Sequence, residues 1–195
     1  MRRGRSEREH LLLDLYGWYL LPAYTLLFAG HRGWFDTNFS VLAVSGITYY
    51  RSFLLWGAVT AVYFGVILVR LTALLAPSYR LRVLGLMGGA LLSLSVGIPL
   101  PYLPEQFPKL ARIHLMLCFA TCVWLMAALL AVIVALYRRE RNRYASMLSR
   151  WWYIIVGSGI LFGLAGMISS AMEVYFVLSA ALLCRRLYEL REEAK

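Results

Sequence analysis

Long apolar runs alternate along this chain with short segments rich in arginine, and this alternation limits what the chain can fold into. Hydrophobic residues make up 61% of its 195 residues, while charged residues make up only 15%. A soluble domain of this length has far more polar surface than such a composition supplies. The composition therefore predicts an all-α polytopic integral membrane protein, with little chain left for a soluble catalytic module.

The apolar runs divide into six predicted transmembrane helices that form one bundle and one domain over residues 1–195. Each helix needs roughly 20 apolar residues to cross the hydrocarbon layer. The second ends at Pro77, because proline lacks the N–H group that a helix interior requires. The last two share one apolar stretch, with a turn near Ser169 and Ser170. The predicted spans cover residues 11–29, 53–76, 83–98, 112–137, 151–168 and 170–185.

The positions of arginine and lysine predict the orientation of these helices, because basic residues in short loops stay on the cytoplasmic side of a membrane. Sixteen of the 20 basic residues fall in four segments that share one side. Only Arg32, Arg51, Lys109 and Arg112 fall on the other side. Both termini are therefore predicted to be cytoplasmic, in a multi-pass protein of a bacterial inner membrane.

The net charge of +10 bears on the partners of the chain. In a soluble protein it would favour nucleic acid, but here the cytoplasmic arginines and their attraction to anionic lipid headgroups account for it. Membrane lipids are the predicted partners, and nucleic acid is not. The spacing of Gly159 and Gly163 permits close helix contact and leaves a homo-oligomer open, although packing within one bundle is the favoured interpretation.

Four polar residues on the predicted outer side are candidates for a site, because ionisable groups at membrane depth are costly. Glu173 lies early in the last span, and His114 lies in the first turn of the fourth. Asp36 and Asn38 belong to the long connection after the first span, which is expected to lie along the interface or fold back onto the bundle. Together these residues could bind a lipid headgroup or a small amphipathic ligand, hold a divalent metal or activate water.

Several alternatives stay open at this point. Glu173 could pair with His114 or Arg112 in a purely structural clamp between helices. The chain could be a membrane-embedded metal-dependent hydrolase or transferase that acts on lipid, or a small channel, transporter or assembly partner. Neither catalytic residues nor a cofactor can be assigned, and no metal site is predicted, because the chain has neither a paired CxxC motif nor HExxH.

Four short motifs, spread over most of the chain, together carry a family resemblance. They are the segment Asn38-Phe-Ser-Val-Leu-Ala-Val-Ser-Gly46, the sequence Phe53-Leu-Leu-Trp-Gly57, His114 and Glu173. They resemble a prokaryotic family of six-helix membrane proteins of unknown function, which is distantly similar to the damage-regulated autophagy modulator group. The resemblance implies a link to membrane lipid processing and directs attention to His114 and Glu173. In one respect the chain departs from the family, because Val174 stands where the family often has arginine.

Overall fold

A computed structural model of the protein describes residues 11–31, 33–73 and 75–192. The described residues form helices, turns and irregular connections and contain no strand, which confirms the all-helical prediction. The basic N-terminal flank lies outside the described residues. The helices are α1 Leu11–Ala29, α2 Phe39–Ala43, α3 Ile47–Thr72, α4 Pro77–Gly97, α5 Pro108–Tyr137, α6 Arg141–Ala165 and α7 Ser170–Glu192.

Five of these helices, α1, α3, α4, α5 and α6, are long and apolar enough to cross a membrane. Large apolar side chains cover their outward faces: Leu92 is 66% exposed, Phe119 61% and Leu164 74%. Contiguous apolar surface of this kind is unfavourable in water and is normal in contact with lipid. The chain is therefore an integral membrane protein with several spans.

The last helix, α7, is not among these five and carries more charge, including Glu173, Arg185 and Glu189. It packs against α1, α3 and α6, and its residues Ala180 and Leu187 are completely buried. A helix that faces other helices can carry polar groups at lower cost than one that faces lipid. The crossing of the membrane by α7, and with it the sixth span, stays a prediction.

Several helices extend beyond the predicted spans. The helix α3 begins at Ile47, and α6 begins at Arg141, so much of the basic stretch between residues 138 and 150 is helical. The predicted spans were limited to the apolar residues, whereas a helix can continue through charged residues at the membrane surface. Pro77 was expected to end the second span, but it begins α4 instead. A proline is favourable at a first helical position, because the N–H group that it lacks has no partner there.

One turn of α1 is widened into a π-helix, Tyr16–Leu20, and the N–H of Leu21 donates to the carbonyl of Tyr16. Pro22 follows directly, and its ring crowds the carbonyl four residues earlier, which accounts for the wider turn. Tyr63 of α3 lies against this turn, with its ring stacked on Tyr16 at a centroid distance of 5.9 Å. Its hydroxyl donates to the carbonyl of Ala181 at 3.2 Å, so Tyr63 links α1 to α7.

The most extensive contact between helices joins α4 and α5. Gly97, the last residue of α4, lies so close to α5 that a Cβ atom added there would be 3.0 Å from the Cβ atom of Leu117. A backbone-proximal atom such as Leu117 Cβ can move only if the helix moves. The missing side chain of Gly97 therefore sets how closely these two helices approach.

This close approach leads to a first prediction. We expect Gly97→Ala to destabilise the protein by about 1–2 kcal/mol, because overpacking forces the two helices apart. Gly85→Ala on the same helix is the matched control, since no atom lies within 4 Å of an added Cβ there. Thermal unfolding of the detergent-purified variants measures the difference. Equal melting temperatures for the two variants would contradict the packing at Gly97.

Candidate functional site

The chain between α1 and α3 folds back onto the bundle, which was one of the two expected arrangements. We call residues 33–46 the return segment; it contains α2. Two of its side chains, Phe39 and Leu42, are at most 1% exposed. The ring of Phe39 packs edge-on against Phe28 of α1 at 5.0 Å and against Trp56 of α3 at 4.9 Å between centroids. Apolar burial therefore anchors the return segment.

The return segment also supplies hydrogen-bond acceptors to the beginning of α7. The first N–H groups of a helix have no partners within the helix. The N–H of Ser170 donates to the carbonyl of Thr37 at 2.7 Å, and the N–H of Ala171 donates to the carbonyl of Trp34 at 2.9 Å. Two backbone carbonyls of the return segment thus cap α7 from outside.

The helix α7 and the return segment cap each other, because Glu173 reaches back to the beginning of α2. Its Oε2 atom accepts a hydrogen bond of 2.7 Å from the N–H of Phe39. Asn38 caps the same helix: its Oδ1 atom accepts from the N–H of Val41 at 2.9 Å, and its Nδ2 atom donates to the carbonyl of Ile168 at 3.2 Å. Two of the first three N–H groups of this five-residue helix, those of Phe39 and Val41, are therefore satisfied by side chains.

His114 of α5 is 1% exposed and has a partner at each ring nitrogen. Its Nδ1 atom lies 2.9 Å from the carbonyl oxygen of Gly97, which can only accept, so Nδ1 carries the proton. Its Nε2 atom lies 2.7 Å from the hydroxyl of Ser40 and accepts from it in the neutral ring. The Sγ atom of Cys118 lies 3.6 Å from the same Nε2 atom. The imidazole thus joins α4, α5 and the return segment.

All four predicted site residues lie in the return segment or contact it, although they do not all contact one another. Asn38 belongs to the segment, Glu173 bonds to Phe39, and His114 bonds to Ser40. The neighbouring residues Phe39 and Ser40 therefore bridge Glu173 and His114. Asp36 also belongs to the segment, but it is exposed and its carboxylate lies beside Gly33, away from the hydrogen bonds of the other three.

A narrow crevice of about 160 Å³ runs beside His114, and as it stands it has no room for a water molecule. It lies between the return segment, the beginning of α3 and the connection from α4 to α5. Its walls combine apolar and polar residues. The apolar ones are Ala43, Val44, Phe53, Ile98, Leu100 and Pro101, and those with polar groups are Ser40, Tyr50, Tyr102 and His114.

The residues at the site do not fit a metal centre. Within residues 11–31, 33–73 and 75–192, no group of three or more His, Cys, Asp or Glu side chains is arranged to hold a metal ion. A protein zinc site takes at least three such ligands. Cys118, Cys122 and Cys184 are free thiols, and His114 already uses both nitrogens in hydrogen bonds.

In comparisons with protein-family models, with curated proteins and with solved structures, nothing matches the chain. The resemblance to the six-helix family, and the function that it implies, therefore stay predictions.

Proposed function

We propose that the protein is a six-span membrane protein with both termini on the cytoplasmic side, and that it binds a lipid headgroup or another small amphipathic molecule beside His114. The mixed lining of the crevice is the observation that carries this proposal. Sites for amphipathic ligands combine apolar walls with a few convergent polar groups. Here Phe53 and Ile98 form apolar walls beside the hydroxyl of Ser40 and the imidazole of His114.

The length and surroundings of α7 support the sixth span. Its 23 residues extend about 34 Å, which is enough to cross a hydrocarbon layer of about 30 Å. Gly166, with φ of 67°, ends α6 in the left-handed conformation that glycine favours. The hydroxyl of Tyr175 donates to the carbonyl of Tyr153 at 2.7 Å, as in a tight antiparallel hairpin of α6 and α7.

Ligand binding in this proposal requires the crevice to widen. The return segment forms one wall and contacts α5 through the hydrogen bond from Ser40 to His114. A headgroup that carries a hydroxyl or an N–H group can donate to Nε2 in place of Ser40. The exchange of one donor for another lets the wall move without leaving His114 unpaired, and an unpaired buried polar group is costly.

An occlusion variant tests this proposal. We expect native mass spectrometry of the detergent-purified protein to detect a copurifying lipid that is lost in Val44→Phe, because the added ring fills the crevice without removing a polar contact. Val62→Phe is the matched control, since Val62 lies on α3 and is 56% exposed. A wild-type protein without bound lipid, or a Val44→Phe variant that retains as many bound lipids as the wild type, would rule the proposal out. Thermal unfolding of both variants checks that they are folded.

One observation favours a second candidate function, acyl transfer from a lipid ester. The Oγ atom of Ser40 lies 2.7 Å from Nε2 of His114, while the carbonyl of Gly97 orients the ring through Nδ1. This is the order of nucleophile, base and orienting group found in serine hydrolases. In the reaction, Oγ would attack the ester carbonyl and its proton would pass to Nε2, which then protonates the departing alcohol. Water would next attack the acyl-serine and release the acid.

Labelling with a fluorophosphonate probe separates the two candidates. An enzyme of this kind is expected to be labelled at Ser40, and the label should disappear in Ser40→Ala and His114→Phe. Ser45→Ala is the control in the same segment, because the hydroxyl of Ser45 already donates to the carbonyl of Leu42 at 2.7 Å. A wild-type protein that stays unlabelled in lipid vesicles would exclude the enzyme and leave the binding proposal standing.

A further inference from the structure

Positive charge is concentrated at the end of the bundle where α4 begins and where α5 turns into α6. We call residues 76–82 and 138–143 the basic end. These two stretches contain six arginines and one carboxylate, that of Glu140. Because α4 runs from this end to Gly97, the basic end lies about 30 Å from the site around His114.

Two arginines, one from α4 and one from just after α5, contact the same tyrosine at the basic end. The Nη1 atom of Arg138, just after α5, donates to the hydroxyl of Tyr79 at 2.5 Å. The guanidinium carbon of Arg82, on α4, lies 5.8 Å from the centroid of the same ring. The tyrosine contacts both guanidinium groups but brings no negative charge to balance them.

The one carboxylate in these two stretches is already engaged. Glu140 accepts from the Nη1 atom of Arg143 at 3.5 Å. In the part of the chain that the structure describes, no carboxylate forms an ion pair with Arg82 or Arg138, so an external anion can balance the charge around Tyr79. Planar guanidinium groups match the oxygen atoms of a phosphate group particularly well, because each can donate two parallel hydrogen bonds.

We propose that the basic end binds the phosphate group of an anionic phospholipid between Arg82 and Arg138. The surroundings favour a lipid over a free phosphate ion. Leu81, next to Arg82 in sequence, is 72% exposed and offers an apolar surface for an acyl chain. Tyr79 and Tyr137 lie at the ends of their helices, where aromatic rings mark the level of the headgroups. The proposal is independent of the proposed function at His114.

Native mass spectrometry of the full-length detergent-purified protein tests this proposal by titration with phosphatidylglycerol and with phosphatidylcholine of the same chain length. We expect the wild type to prefer phosphatidylglycerol, and the double variant Arg82→Gln, Arg138→Gln to bind it about tenfold more weakly or worse. The control Lys109→Gln, Arg112→Gln removes the same number of charges near the other end of α5 and is expected to keep the preference.

An equal loss in the control would overturn the proposal, because the preference would then reflect net charge alone. Inorganic phosphate at millimolar concentration is expected not to compete, and displacement of the lipid by it would overturn the choice of a phospholipid. The variant Arg82→Lys, Arg138→Lys covers the case in which the glutamine variant does not fold. This lysine variant keeps both charges but loses the paired donors of the guanidinium groups, so we expect it to bind phosphatidylglycerol about threefold more weakly. Unchanged binding would contradict the proposed role of the guanidinium groups.

Discussion

Replacement of Glu173 by alanine is expected to lower the free energy of unfolding by about 2–3 kcal/mol, one of the two largest effects that we predict for a single substitution. The carboxylate accepts the hydrogen bond from the N–H of Phe39 at 2.7 Å, and Phe39 is fully buried. Without Glu173 this N–H loses its partner and the beginning of α2 loses its link to α7. Denaturant unfolding in mixed micelles, followed by tryptophan fluorescence, measures the loss.

Glu173→Gln is the control that distinguishes two possible roles of Glu173, a hydrogen bond to α2 and a charge clamp between helices. Its amide oxygen can still accept from Phe39, so we expect it to cost less than half as much as Glu173→Ala. If Glu173 instead formed a charge clamp with His114 or Arg112, the two substitutions would cost about the same, because glutamine removes the charge as completely as alanine does. Equal costs for the two substitutions would therefore contradict the hydrogen bond to α2 as the role of Glu173.

Replacement of His114 by alanine is expected to cost about 3 kcal/mol or more, because it leaves a cavity and deprives two partners of their hydrogen bonds. The carbonyl of Gly97 and the hydroxyl of Ser40 would both lose the imidazole. His31→Ala is the matched control, since His31 is exposed, its Nδ1 atom lies 3.1 Å from the carbonyl of Phe28 in its own turn, and its ring packs edge-on against Tyr49 at 5.2 Å. We expect this control to cost about 1 kcal/mol at most.

A double-mutant cycle measures how much of the His114 effect comes from Ser40. If the 2.7 Å hydrogen bond forms as described, the costs of His114→Ala and Ser40→Ala are not additive, and the coupling energy is about 1 kcal/mol. Additive costs would mean that the return segment and α5 are held together by packing alone. Ser40→Ala also serves in the labelling experiment, so its stability and its reactivity can be compared in one protein.

The helices were the part of the fold that the sequence predicted best, because long apolar runs are a local signal. The first predicted span, residues 11–29, coincides with α1. The short helix α2 was not predicted, since it has only five residues and depends on distant partners. Its cap from Glu173 comes from a residue 134 positions away, and such a contact leaves no trace in local composition.

The candidate site was predicted in part, and for a physical reason. The cost of burying His114 and Glu173 in a membrane pointed to both residues, but their partners did not carry a comparable signal. The hydroxyl of Ser40 lies 74 positions from His114, and the partner of Glu173 is a backbone N–H group, which any residue but proline supplies. Side-chain chemistry therefore predicted which groups need partners, while the folded chain determined which groups provide them.

The glycines of α6 illustrate the same limit. Gly159 and Gly163 were interpreted as a packing surface within one bundle, but no atom lies within 4 Å of a Cβ atom added to either. The helix α6 contacts α7 through a different face, which includes Gly157 beside the ring of Tyr175. The spacing of two glycines thus predicts a surface of close approach but not which neighbour the surface meets. A homo-oligomer that uses this surface stays a prediction.

A labelling experiment in intact cells tests the central claim most directly, namely six spans with the return segment and the basic end on opposite sides of the membrane. Cys118, Cys122 and Cys184 are first replaced, and single cysteines are introduced at the exposed positions Phe35 and Asn142. We expect an impermeant maleimide to label Phe35→Cys in intact cells, and Asn142→Cys and a C-terminal tag to be reached only after permeabilisation. A C-terminal tag accessible from outside would mean that α7 does not cross, and labelling of both cysteines from the same side would contradict the arrangement as a whole.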